Sequence, residues 1–131
     1  MPSSRTLGRD DLVLCAGTVP NASFAERIDA ARAGGFAGIS LRVRDHARAR
    51  AEGLSDADLR ARLDDAGIAV AEIEVLNAWR PGARGGRNAP SADDVFAIAA
   101  AVRARSICVV EGPGELPSLG EAARIFGALC D

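Results

Sequence analysis

Apolar and polar positions along this chain follow two alternating patterns, short apolar runs and longer alanine-rich stretches. The short runs are typical of β-strands, and the alanine-rich stretches are typical of helices. The predicted strands are Asp11–Ala16, Phe36–Val43, Ile68–Leu76 and Ser106–Glu111, and the predicted helices are Ser23–Ala33, Ser55–Ala66, Ser91–Ala104 and Ser118–Leu129. The chain therefore reads as four successive βα units.

Each predicted helix begins with a serine placed three residues before an acid. The pairs are Ser23 with Glu26, Ser55 with Asp58, Ser91 with Asp94, and Ser118 with Glu121. A serine oxygen at this position accepts from a free amide of the first turn, and the acid favours the positive end of the helix. The two glutamates fit the capping box strictly, and the two aspartates are looser matches. Glycines follow the first two helices, as expected of helix ends.

The alternation within the strands predicts which kind of parallel sheet the units form. One side of the second and third strands is apolar and the other becomes polar: Ile39, Leu41 and Val43 oppose Ser40 and Arg42, while Ala71, Ile73 and Val75 oppose Val70, Glu72 and Glu74. A doubly wound sheet buries both faces, whereas a barrel turns its inner face towards a pocket. We therefore predict an α/β fold in which residues 1–131 form one domain, a parallel (βα)4 half of a TIM barrel, incomplete relative to eight units.

Composition narrows the function classes. The net charge is −2 and all sixteen basic residues are arginine, which disfavours nucleic acid as a partner and excludes lysine chemistry. Three widely spaced cysteines without a CxxC pair or a secretory segment predict a cytoplasmic protein with reduced thiols. No apolar run has the length of a membrane span.

Glu72 and Glu74 interrupt an apolar strand and therefore need partners. Arg42 has the same phase one strand away and is the natural candidate. Three interpretations stay open: a structural Arg–Glu pair, a substrate-orienting or acid/base role for Glu74, and simple exposure to solvent.

Other candidate residues follow the strands. Glu111 ends the fourth strand, where TIM-type enzymes place functional groups, or it is simply exposed. His46, the only histidine, either reaches the barrel mouth or lies in an exposed loop. Trp79 either walls a sugar pocket or plugs the barrel top. The loop Arg80–Pro90 places arginines among glycines and could cradle a phosphate or be a solvated loop.

Three segments resemble the xylose isomerase-like TIM barrels, the sugar phosphate isomerase/epimerase family. They are DLVLCAGTVPNASFAERIDAARAGGFAGISLRVRD, LSDADLRARLDDAGIAVAEIEVLNAW and VRARSICVVEGPG. The resemblance covers nearly the whole chain but only the first half of such a barrel.

The resemblance implies isomerisation or epimerisation of a carbohydrate-like substrate through proton transfer next to a carbonyl. It implies catalytic roles for Glu74 and Glu111, with Arg42 setting the charge of Glu74, and substrate contacts from Arg42, His46 and Trp79. The family often binds a divalent metal through residues of later strands, so no cofactor is expected in this chain itself.

The half-barrel is expected to be inactive alone and to act with a second copy or a complementing half-barrel. Two alternatives remain at this point. One is a non-catalytic half-barrel that serves binding or assembly, and the other is a compact doubly wound α/β domain that binds a phosphorylated ligand. Neither nucleic acid nor a membrane is expected as a partner.

Overall fold

The computed structural model describes residues 5–81, 89–112 and 114–131. The strands are β1 (Val13–Leu14), β2 (Gly38–Arg42), β3 (Ala69–Leu76) and β4 (Ser106–Val109). The helices are α1 (Phe24–Ala33), α2 (Val43–Ala51), α3 (Asp56–Ala66), α4 (Ala92–Ala101) and α5 (Leu119–Cys130), and a 3-10 turn at Ala16–Thr18 follows β1. All eight predicted elements are confirmed, and α2 is an additional helix.

The predicted serine caps form at the starts of α1, α3, α4 and α5. In each case the serine hydroxyl oxygen accepts from the amide three residues on. The expectation that the aspartate versions are looser is wrong. Asp58 accepts from both the amide and the hydroxyl of Ser55, at 2.8 and 2.6 Å, so the shorter acid still closes the box. Within the described residues Glu121 makes no reciprocal bond to Ser118.

The four strands form one parallel sheet in the order β1-β2-β3-β4. Successive right-handed crossovers that always proceed in the same direction place every helix on the same face of the sheet. A doubly wound sheet would instead reverse its strand order at a switch point. The predicted half-barrel type of α/β unit is therefore confirmed, and the doubly wound alternative is wrong.

The core lies between the helices and one face of the sheet. Ile39, Leu41 and Ile73 are fully buried there. Each such side chain stabilises the fold by about 1.5–3 kcal/mol relative to an exposed position. Helices α1, α3 and α4 supply the other side of the core, with Phe24, Ile28, Leu59, Leu63, Val95 and Ala99.

A register irregularity between β2 and β3 changes which residues face the core. Ile39 pairs with Val70 and Ser40 pairs with Glu72, so Ala71 is an extra residue between the two pairs. Val70 consequently packs in the core with Ile39. The prediction that Val70 shares a face with Glu72 is wrong, because a bulge interrupts the period of two.

A second irregularity occurs near the end of β3. Glu74 pairs with Cys108 and Leu76 pairs with Val109, and the register shifts between the two pairs. Leu76 is therefore buried, while Val75 is exposed. The predicted apolar face of this strand is right for Ile73 and wrong for Val75.

Helix α2 starts directly after β2, where the sequence suggested a loop around His46. Asp45, in the first turn, accepts from the amide of Arg42 at 2.8 Å and so supports the helix start. The cap residue is an arginine rather than one of the usual capping residues, which explains why the pattern of serine starts did not reveal this helix.

Helix α5 is the least buried helix. None of its residues is buried, and Leu119 is 87% exposed. Its contact with the core runs through Leu129 and through Phe126, which lies against Trp79. In the part of the chain that the structure describes, no helix has both the length and the apolar character needed to cross a bilayer.

Candidate functional site

The face of the sheet opposite the helices contains an open cavity of about 490 Å³. Its position follows from strand geometry, because side chains next to the core residues point to the other face. Glu72 and Glu74 both line this face, as the strand alternation predicts. The full lining is Val13, Cys15, Ser40, Ala71, Glu72, Glu74, Arg105 and Ser106.

Glu74 is held in this cavity by neighbours from two other strand units. Its Oε1 accepts from the Ser40 hydroxyl at 2.6 Å, and the Cys15 thiol lies 3.6 Å from the same oxygen. Ser40 is 3% exposed, and its oxygen accepts from the Ala16 amide at 2.8 Å. Hydrogen bonds to an ionised carboxylate are shorter and stronger than neutral ones. The carboxylate is therefore fixed by β2 and by the turn after β1.

The predicted pair between Arg42 and Glu74 does not form, although the two residues are neighbours in the register. Within the described residues Arg42 makes no ion pair. Its guanidinium turns towards β1, where a Cβ on Gly17 would lie 3.2 Å from Nη2 and 3.7 Å from the Cys15 sulfur. The glycine leaves room for this orientation, so Arg42 lies at the rim of the cavity near Cys15 rather than on Glu74.

A fully buried arginine anchors the turn beneath the cavity. Arg27 donates to the Ala16 carbonyl at 3.3 Å and to the Ala22 carbonyl at 3.4 Å, and it pairs with Asp45 at 3.2 Å. The backbone of Ala16 thus connects Arg27, through its carbonyl, to Ser40, through its amide. Our sequence reading missed Arg27. Its place in an otherwise apolar stripe with Phe24 and Ile28 was the available signal.

Glu111 lies outside the cavity that contains Glu74. Its carboxylate accepts hydrogen bonds from Nε and Nη2 of Arg80 at 2.6–3.1 Å. Arg80 also donates to the Glu115 carbonyl at 2.8 Å. The bond to Glu111 raises the pKa of Arg80. This pair joins the segments that follow β3 and β4. The two predicted catalytic carboxylates are therefore not brought together.

His46 belongs to α2 and contacts the first turn of α3. Its Nε2 lies 2.9 Å from Oδ1 of Asp56, and its side chain is 14% exposed. The prediction of an exposed loop histidine is wrong, because α2 packs this side chain against α3. The hydrogen bond with His46 lowers the pKa of Asp56, despite an opposing effect of burial. His46 is not part of the cavity lining.

Trp79 packs against helix α5. Its ring meets Phe126 edge to face, with centroids 6.2 Å apart. Its Nε1 is buried and has no partner among the described residues. Trp79 does not line the Glu74 cavity, and neither of its two interpretations, a sugar pocket wall or a plug of the barrel top, is tested by this contact.

The phosphate cradle suggested for the loop Arg80–Pro90 rests on Arg84 and Arg87, which lie outside the described residues. Arg80 itself is engaged by Glu111.

Cys108 faces the same side of the sheet as Glu72 and Glu74. Burial raises the pKa of the Cys108 thiol, and the charges of Glu72 and Glu74 raise it further. Despite these neighbouring acids and thiols, residues 5–81, 89–112 and 114–131 contain no group of three or more His, Cys, Asp or Glu arranged to hold a metal ion. The divalent metal of a complete barrel stays a prediction, because the resemblance assigns its ligands to later strands.

A scan against models of known protein families gives no match, and a search of curated proteins gives no significant match. The fold and the site together define a parallel α/β unit of the half-barrel type with a serine-held carboxylate on its open face. Membership of the xylose isomerase-like family stays a prediction from the sequence.

Proposed function

We propose that this chain supplies four βα units of a barrel enzyme that isomerises or epimerises a carbohydrate-like hydroxy-carbonyl substrate. The observation that carries the proposal is the position of Glu74. It lies near the C-terminal end of β3, on the open face, with Ser40 as its hydrogen-bond donor. Barrel enzymes draw their functional groups from this end of their strands.

In the proposed reaction Glu74 acts as a general base and then as a general acid. Its carboxylate accepts the proton from the carbon next to the substrate carbonyl. The electrons of that C–H bond form a carbon–carbon double bond, and the carbonyl oxygen becomes an enolate oxygen. The protonated Glu74 then returns the proton to carbon, and transfer of a proton between the substrate oxygens completes an isomerisation.

Positive charge near the carboxylate supports this chemistry. Arg42 lies at the rim of the cavity and forms no ion pair within the described residues, so its charge is free to stabilise an enolate oxygen electrostatically. Arg105 also lines the cavity, but it precedes β4 and so lies towards the other end of the strands from Glu74. The described residues form no metal site, and no step of the proposal passes through a metal ion.

An enclosed pocket requires more strands than the sheet contains. The outer edges of β1 and β4 have no strand partner within the described residues. Unpaired edges are suited to pairing with further strands. In the proposal these strands come from a second copy of the chain or from a complementing half-barrel.

Exchange of a substrate proton with solvent tests the proposed reaction directly. The assembled protein is incubated in D₂O with a panel of small aldoses and ketoses, and loss of the proton next to the carbonyl is followed by proton NMR. The Glu74→Gln variant removes the base, so exchange is expected to fall by about 10²–10⁴-fold.

Glu52→Gln is the matched control, because Glu52 lies at the end of α2 and pairs with Arg48 at the surface. Its exchange rate should equal that of the wild type. Exchange that persists in the Glu74→Gln variant, or that no sugar of the panel shows, would contradict the proposal.

One observation favours the alternative of a non-catalytic assembly module. Helix α5 exposes Leu119 and Phe126, and Phe96 of α4 is exposed nearby. Exposed apolar side chains grouped on neighbouring helices mark interaction surfaces. A stable assembly without any exchange activity would select this alternative.

A further inference from the structure

The contacts of the Glu74 carboxylate are strongly one-sided. Among the described residues, two side chains donate to this carboxylate: Ser40 at 2.6 Å and Cys15 at 3.6 Å. Both bonds go to Oε1. Within the described residues Oε2 has no such contact. Glu74 lines the cavity, so Oε2 is the oxygen left for a ligand.

The direction of the bond between Ser40 and Glu74 follows from the other contact of Ser40. A hydroxyl has one proton to donate and can also accept. The Ala16 amide donates to the Ser40 oxygen at 2.8 Å, which leaves the hydroxyl proton free for another acceptor. An ionised carboxylate can only accept, so the Ser40 proton points to Oε1 of Glu74. Such an arrangement suits a carboxylate that acts as a pure acceptor.

Buried charge keeps this arrangement in place. The carbonyl of Ala16, the residue whose amide holds Ser40, accepts from Arg27 at 3.3 Å. Arg27 is fully buried and pairs with Asp45. Ser40 thus lies between a rigid buried network and the open carboxylate. Functional groups reach a defined geometry when supporting residues are themselves locked by hydrogen bonds.

We propose that Ser40 is the positioning residue of this site: it fixes Oε1 of Glu74 and directs Oε2 towards the substrate. The catalytic meaning of this role rests on the proposed function, since it takes Glu74 as the base. Ser40 itself does not touch the substrate. The oxygen that exchanges the proton is Oε2.

Infrared spectroscopy of the carboxylate tests the positioning without any substrate. The protein is labelled with glutamate carrying ¹³C at its side-chain carboxyl, and subtraction of the Glu74→Gln spectrum isolates the Glu74 band. In Ser40→Ala the carboxylate loses its hydroxyl donor and keeps only the longer contact with the Cys15 thiol, so its antisymmetric stretch is expected to shift. Ser40→Thr keeps the hydroxyl and is expected to restore the wild-type frequency.

Ser106→Ala is the matched control. Ser106 lines the same cavity, but its hydroxyl donates to the Ala71 carbonyl rather than to the carboxylate. The Glu74 band should not move in this variant. If Ser40→Ala does not fold, Ser40→Cys retains the size of the side chain with a weaker donor and should give a smaller shift.

An unchanged Glu74 band in folded Ser40→Ala, or in folded Ser40→Cys when the alanine variant does not fold, would overturn the positioning role. The result is separate from that of the exchange assay. A shifted band with no exchange activity would reject the proposed reaction and retain the positioning. In an active enzyme, Ser40→Ala should lower exchange at least tenfold, and Ser40→Thr should recover it.

Discussion

At Glu74 a carboxylate is held by neutral donors rather than by a neighbouring guanidinium. Ser40 and Cys15 approach one oxygen, while Arg42 turns away towards Gly17. A hydroxyl fixes the orientation of the carboxylate without neutralising its charge. The arginine charge at the rim therefore remains available to a ligand, which suits a site that must stabilise a developing oxyanion.

The Cys108 thiol provides a chemical probe of this face. Burial, Glu72 and Glu74 together raise its pKa, so a smaller fraction is thiolate near pH 8 than for an ordinary cysteine. We expect Cys108 to react with iodoacetamide more slowly than exposed Cys130, and Glu74→Gln to speed the reaction of Cys108. Mass spectrometry of the alkylated peptides measures both rates.

The surface variant Glu52→Gln should leave the Cys108 rate unchanged. Because the folded pKa is raised, the contribution of this thiol to stability is present below its unfolded pKa and is lost as the pH rises through the folded value. A Cys108 rate that does not respond to Glu74→Gln would place the thiol away from the carboxylate.

At the scale of elements, local signals identified the helices better than the strand faces. Each Ser-x-x-acid start lies within four residues, so the cap that it predicts needs no tertiary information. The bulge leaves Ala71 without a pairing partner in β2, and it arises only when β2 and β3 pair. The sequence of one strand therefore does not predict it. The same holds for the pairing of Ser40 with Glu74, which are 34 residues apart.

The junction of α2 and α3 gives a prediction for acid conditions. The bond with His46 is the main cause of the lowered pKa of Asp56. The stability from this ionised carboxylate is present above its unfolded pKa and is lost as the pH falls below about 3.8 towards the folded value. In His46→Gln we expect the pKa of Asp56 to rise, as measured by NMR titration of the carboxyl carbon.

Asp58 is the internal control of this experiment. Its pKa is lowered by Ser55, through side-chain and amide hydrogen bonds, and it should not change in His46→Gln. If the Asp56 titration is also unaffected, the contact between His46 and Asp56 does not exist in solution.

For the whole molecule, the sequential strand order is the feature with the widest consequences. The βα alternation predicted the parallel sheet, and the apolar–polar alternation within the strands predicted its half-barrel type. Neither pattern predicted which strand-end residues meet, because Glu111 is engaged by Arg80 and Glu74 by Ser40. Which of these side chains pair depends on how far each one extends across the neighbouring strands. Glu74 is therefore the residue around which the candidate site is built.

The free edges of the sheet lead to the last prediction. The two ends of a sequential parallel sheet are complementary, since rotation about an axis along the strands brings β4 of one copy beside β1 of another in parallel orientation. We expect the chain to form a dimer at micromolar concentration, as measured by size-exclusion chromatography with light scattering. Val13, on edge strand β1, is partly exposed, and Val13→Lys should shift the dimer towards monomer because an edge lysine opposes strand pairing. Ala61→Lys on the exposed side of α3 should leave the mass unchanged. A well-folded monomer of the wild-type chain would contradict the predicted dimer and would count against the barrel assignment.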